Sequence, residues 1–362
     1  FINKRIKFIM AYTTINKSTD HFNTKLYTGT GNSNAQTGVG FKPDMVWLKN
    51  RGASSNHHLV DAIRGITKEL RPNLNNAQAD DNQLITALGT DGFTVGTSGS
   101  SNTNNNTYVA WNWKANGSGS SNTAGSINST VSANTTSGFS MVAWQGNGST
   151  ATVGHGLGIA PELVFVKGYS AVAQWYTYAK HAIGNNGAVG RLVIGFLDNT
   201  AAFTNDTTSW QSTDPTSTLL YVNSGANQSM TNIAYCFSSV KGFSKMGSYK
   251  GNANTNGTFI YTGFKPAWII IKRTNAAGDN WLVFDNKRKG YNGGSGSTEG
   301  NLNLTADQEA AEGNSSLINV VSNGFKMITS DAKINASGST YIYAAFAEAP
   351  LVGSNNIPAT AR

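Results

Sequence analysis

The chain has 362 residues, room for two or three domains with an ample core in each. Hydrophobic residues make up 39% and charged residues only 13%, so Asn, Ser, Thr and Gly must cover the surface; with 40 glycines and few helix formers, the expected class is all-β. The net charge of +8 is dispersed, without the long Lys/Arg block of a nucleic-acid or membrane-surface binder, and no apolar stretch reaches transmembrane length.

Residues 1–37 read as a lead-in with Phe22, Leu26 and Tyr27 as apolar points. Its opening, residues 1–9, carries Lys4, Arg5 and Lys7 and reads as upstream sequence before a more natural start at Met10. Residues 38–114 form the first unit. Gly-Phe-Lys-Pro, ending at Pro43, delivers the chain into an apolar run, residues 45–49, that ends in Lys49. Proline cannot donate to a ladder and suits the start of a strand, and the run is short and rich in β-branched and aromatic residues, so it predicts a buried strand. Asp91-Gly-Phe then predicts a turn feeding a strand, and the Asn-led segment 106–114 a closing strand.

Residues 115–137 are dominated by Asn, Gly, Ser and Thr and are expected to be a flexible linker. The second unit, residues 138–241, repeats the order of elements with less fidelity. Its Pro161 precedes an apolar run ending in Lys167, but the Gly-Phe turn is missing. Cys236, the lone cysteine, permits no intrachain disulfide and no cysteine metal site, and reads as a small buried strand residue. The third unit, residues 242–350, has the clearest copy: Gly-Phe-Lys-Pro ending at Pro266, an apolar run to Lys272, a helix candidate over 305–312, Asn323-Gly-Phe, and an Asn-led closing strand. Residues 351–362 read as an exposed tail. The three prolines recur at roughly 105 to 120 residues, nearer the size of a small domain than of a solenoid repeat.

These stretches resemble a family of repeat proteins carried by tailed bacteriophages, especially those of marine bacteria. The resemblance is densest over residues 230–349, in Gly247-Ser-Tyr-Lys-Gly-Asn252, in 259–266, in 271–274, in 280–288 and in 341–348, and extends to residues 41–114; the middle unit departs from the pattern. It implies a virion protein of the tail or a fibre-like appendage, built from tandem antiparallel β-sandwich units similar to concanavalin-type or laminin-G-type jelly rolls. It implies other virion proteins as partners, with a host-surface glycan and self-association left open; the dispersed charge and the lack of a transmembrane-length run point to no nucleic acid and no membrane. It carries no catalytic residues.

Read for chemistry, the candidates favour structure. His57 and His58 are adjacent, so on a strand they face opposite sides and do not share one ion; one is expected partly buried and the other exposed. Asp61 and Asp285 occupy matching places, each followed by an arginine, Arg64 and Arg288. Calcium would use such carboxylates, but an ion pair or turn anchor is the simpler reading. Glycoside cleavage needs two carboxylates at a set separation, and Glu309 with Glu312 is the nearest pair. Neither glycine-rich stretch is a phosphate loop. No catalytic residue, metal or cofactor is therefore expected. Trp47, Trp111, Trp113, Trp144, Trp268 and Trp281 lie on strand patterns and read as core, whereas Trp175, Tyr176, Tyr178 and Trp210 sit among polar residues of the divergent unit and are the candidate binding residues. The function expected is a non-enzymatic virion protein that contacts host or neighbouring virion proteins through loops. The alternatives are a purely architectural head-decoration or tail-ornament protein, and a carbohydrate-active depolymerase.

Overall fold

The computed structural model describes residues 12–288 and 301–352. The remaining positions, among them 1–9 and most of the expected tail, lie outside the described residues. The first unit contains β1 (Phe22–Thr28), β2 (Asn34–Gln36), β3 (Met45–Asn50), β4 (His57–Asp61), β5 (Lys68–Glu69), β6 (Ala79–Asp80), β7 (Ala87–Gly89), β8 (Gly92–Val95), the single-turn helix α1 (Gly99–Asn102) and β9 (Thr107–Trp113). The second contains β10 (Ser120–Asn122), β11 (Ser129–Asn134), β12 (Phe139–Gln145), β13 (Ala151–Gly154), β14 (Leu163–Gly168), β15 (Trp175–Ala179), β16 (Val193–Phe196), β17 (Thr204–Asn205), β18 (Leu219–Val222) and β19 (Thr231–Phe237). The third contains β20 (Ser244–Lys250), β21 (Phe259–Tyr261), β22 (Phe264–Arg273), β23 (Leu282–Asp285), β24 (Asn301–Thr305), β25 (Gly313–Ser315), β26 (Ile318–Val321), β27 (Gly324–Met327), α2 (Ala332–Asn335) and β28 (Thr340–Pro350).

The same sheet order occurs in each unit: β1-β9-β3-β4, β12-β19-β14-β15 and β20-β28-β22-β23, all antiparallel. A smaller sheet covers one face of each: β2-β8-β7, β13-β18 and β21-β27-β26. This is an all-β architecture of three sandwich units, and the divergent middle unit keeps the shared order.

Two kinds of core follow from strand alternation. On β3, Val46 and Leu48 pack against the first unit's own small sheet, through Phe93 and Val95. Met45 and Trp47 face the opposite way and join a core shared with Phe165 of the second unit and Trp268 of the third. Each proline-led strand is thus covered on both faces, which is why it reads as an unbroken apolar run rather than an alternating one. At the centre lies a void of about 20 Å³ walled by side chains of all three units, including Met45, Leu163 and Phe346.

The units are joined by three matching pairs of backbone hydrogen bonds. Gln78 N–H donates to Tyr169 O (2.8 Å) and Ala173 N–H to Asn75 O (2.9 Å), tying unit one to unit two. Phe203 N–H donates to Thr274 O (2.8 Å) and Gly278 N–H to Thr200 O (3.0 Å), tying two to three. Glu312 N–H donates to Arg51 O (2.8 Å) and Ser55 N–H to Glu309 O (2.8 Å), closing three back onto one. The spacing within each pair is the same, so the chain is a covalently fused pseudo-trimer.

Several expectations are corrected here. The lead-in is part of the first unit, because β1 pairs with β9 over seven residues and β2 pairs with β8. Residues 115–137 carry β10 and β11, which extend the second unit's sheet through β12; ladder bonds use backbone groups, so a polar composition does not prevent them. His57 and His58 do face opposite ways, yet both are buried, since β4 is covered on each side. No helix forms over 305–312; β24 ends at Thr305 and the following turn is committed to the contact with Arg51. Pro266 is inside β22 rather than ahead of it, at a register shift where the ladder is already interrupted. The Gly-Phe turns need their glycines because a Cβ on Gly92 or Gly324 would lie about 2 Å from the carbonyl oxygen of Gln36 or Ile260.

Candidate functional site

The four aromatics singled out by sequence do not form an exposed surface. Trp175 (0% exposed), Tyr178 and Trp210 are buried, and Tyr176 is half-buried with its ring edge-on to Phe196 at 5.5 Å. Trp175 reaches into the first unit, its Nε1–H donating to Arg71 O (3.0 Å) and Leu74 O (3.2 Å). It is one of three equivalent couplings. His57 Nε2 meets Thr305 O of the third unit at 3.0 Å, and Trp281 Nε1–H donates to Phe196 O of the second at 2.8 Å. Tyr178 and Trp210 pack together at 5.7 Å inside the second sandwich, and Tyr178 donates to Asp214 (3.0 Å). One side of Trp210 borders a shallow depression of about 330 Å³ with Arg191 and Asp206.

The lysines that end the proline-led strands are also interfacial. Lys49, Lys167 and Lys272 are all buried, because their strand positions put them on the shared face. Lys167 Nζ donates to Asn75 O of the first unit (2.9 Å) and to Ala173 O; Lys49 Nζ donates to Asn50 O (2.7 Å), and Lys272 to Asp279 O. Burial pulls all three down to about 8. All three donate to backbone carbonyl oxygens, across an interface at Lys167 and within the unit at Lys49 and Lys272.

Asp61 and Asp285 serve as turn anchors and cross-unit acceptors. Each accepts from two backbone N–H groups just ahead in the chain and from its arginine, Arg64 Nε (2.6 Å) or Arg288 Nε (2.7 Å). Tyr235 O–H of the second unit donates to Asp61 (2.7 Å), and Trp111 Nε1–H of the first donates to Asp285 (2.9 Å). Glu309 and Glu312 belong to the closing interface, where Glu312 bridges Arg51 (2.8 Å) and Arg288 (3.1 Å).

The most developed open site is a groove of about 610 Å³ between the second and third units. Unit two supplies Glu162, His181 and Ser239; unit three supplies residues 245–249 of β20, 259–261 of β21 and Tyr343 of β28. Phe259 and Tyr261 alternate around the buried Ile260, so both rings stand on one face, 47% and 49% exposed. Tyr12 donates to Gly263 O (3.0 Å), and its hydroxyl and that of Tyr261 both lie near Gly263. Ser239 Oγ donates to Glu162; Lys180 Nζ is 3.3 Å and His181 Nε2 3.7 Å from the same carboxylate. These donors hold Glu162 down to about 2 against the opposing effect of burial.

Two familiar catalytic arrangements are not formed among the described residues of this groove. A serine nucleophile needs its hydroxyl on the imidazole, whereas here Ser239 and His181 both address Glu162. A carboxylate held near 2 is too weak a base to take the proton itself. Glu162 is also the single carboxylate among the described residues lining the groove, and glycoside hydrolysis uses two.

Internal comparison shows why sequence reading missed the groove. In register, Phe259 and Tyr261 correspond to Ala35 and Thr37 of unit one and to Thr152 and Gly154 of unit two, because Ile260, Gln36 and Val153 all lie opposite the matching residue of the facing strand. The fold tolerates small residues at both positions. The signal lies in that alignment, which the weak middle copy hides from the sequence.

A three-unit β-sandwich assembly with one aromatic-lined groove is the class of protein that fold and site define. The chain belongs to the family described as a domain of unknown function (DUF7483), whose model matches residues 17–350 and so spans all three units. No curated protein and no solved structure matches the chain.

Proposed function

We propose that the protein is a non-enzymatic structural component of a phage virion, part of a tail or fibre-like appendage that contacts the host surface or neighbouring virion proteins. The observation that carries the contact role is the pair Phe259 and Tyr261. Two large rings half-exposed to solvent cost apolar hydration, and the equivalent positions of the other units show that folding does not require them. The closed ring of interfaces supports the structural role by holding the groove's two walls, from different units, in fixed relation. The phage setting rests on the sequence resemblance.

Immunogold electron microscopy of virions, with antibody to the full chain, tests the placement. Label on a tail or fibre supports it; label on the head moves the protein to a decoration role, and unlabelled particles reject a virion protein. Incubating the protein with host polysaccharide tests the chemistry: release of new reducing ends would replace the binding role with a depolymerase.

A further inference from the structure

Resting on that reading of the protein as a contact module, we infer that the groove between the second and third units is a binding site for an acidic saccharide. Its volume of about 610 Å³ falls within the range of about 300–1,000 Å³ usual for small-ligand sites. Phe259 and Tyr261 present two ring faces two residues apart on one side of β21. The negative face of an aromatic ring attracts the polarised C–H groups of a sugar ring, whose hydroxyls then project to the groove walls.

The floor is specific to this unit. Gly247 of β20 faces Tyr343 of β28, where unit one pairs Lys25 with Ala110 and unit two pairs Val142 with Ala234. Large and small have changed places. A Cβ on Gly247 would stand 2.7 Å from the Tyr343 hydroxyl, so the glycine is what admits the tyrosine to the groove. The charge follows from the walls: Lys245 contributes a cationic group, while the one carboxylate lining the groove, Glu162, is already engaged by Ser239, Lys180 and His181. The groove therefore favours a sugar acid over a neutral sugar or a cationic peptide.

The test uses the full chain and isothermal titration with trigalacturonate, with maltotriose as the neutral control, at low and moderate salt. The wild type is expected to bind trigalacturonate at least tenfold more tightly than maltotriose. The double variant Phe259→Ala, Tyr261→Thr, which installs the residues unit one carries there, is expected to lose at least tenfold in affinity with an unchanged melting transition. Lys245→Met is expected to weaken trigalacturonate several-fold, flatten its salt dependence and leave maltotriose unchanged. No preference for the acidic sugar, or full affinity in the double variant, overturns the assignment. The virion reading fails separately, through unlabelled particles in the immunogold experiment, and saccharide binding in that case still upholds the groove.

Discussion

Trp175 is the residue on which the shared-core architecture can be tested most sharply. It is wholly buried, stacks on Tyr235 at 6.1 Å, and its Nε1–H satisfies carbonyls of Arg71 and Leu74 in another unit. Trp175→Ala removes the ring from the core, which costs about 3–5 kcal/mol. It also leaves Leu74 O without its donor, costing about 1 kcal/mol where water does not reach, whereas Arg71 O keeps the N–H of Leu74. A total of about 4–6 kcal/mol is a large part of the stability of an ordinary domain, about 5–15 kcal/mol. Trp175→Phe keeps most of the packing and deletes the donor, so about 1–2 kcal/mol is expected. Urea denaturation followed by circular dichroism reads both values from the shift in midpoint at constant slope. An exposed recognition residue would behave oppositely, costing about 1–3 kcal/mol of binding and little stability. A loss below about 1 kcal/mol for Trp175→Ala would refute the buried, cross-unit role.

Other consequences are open to direct measurement. Glu312→Gln should cost about 1–2 kcal/mol in denaturant melts, because Arg288 keeps Asp285 and loses only the charge of the carboxylate it shares with Arg51. Lys49, Lys167 and Lys272 have folded values near 8, below the usual 10.5. They hold their protons less tightly folded than unfolded, so stability should rise between about pH 8 and 10.5, and Lys167→Met should reduce that rise. Trypsin nicking after the exposed Lys114 should leave both parts co-eluting on size exclusion, since the shared core spans the cut; two separate stable pieces would contradict a common core.

Much of the scaffold is legible in the sequence, and the reasons are local. The runs before Lys49, Lys167 and Lys272 read as buried strands because both faces are apolar, and β3, β14 and β22 are there. What the lysines themselves do is not legible. A lysine ending a strand ordinarily meets solvent, and here the neighbouring unit covers it. The same blind spot misplaces Trp175, whose polar neighbour Gln174 suggests a surface although Arg71 and Leu74 close over it. Residues 115–137 mislead in the other direction, because β10 and β11 are held by ladder bonds that leave little trace in composition.

Fusion of three units in one chain changes what substitution can do. In a homotrimer every change appears at three interfaces; here each position can vary alone. The acid-to-donor contact shows this: Asp61 of unit one takes Tyr235 of unit two, and Asp285 of unit three takes Trp111 of unit one. The third such contact would join units two and three, and the equivalent positions there are Ala179 and Ala344, both in the shared core. Donor and acceptor are absent together, which avoids the cost of a lone buried polar group. The second unit is therefore matched to its neighbour rather than simply degraded. The same freedom lets Phe259, Tyr261 and the Gly247–Tyr343 exchange occur in one unit only, placing the groove beside the interface that lacks the acid-to-donor contact.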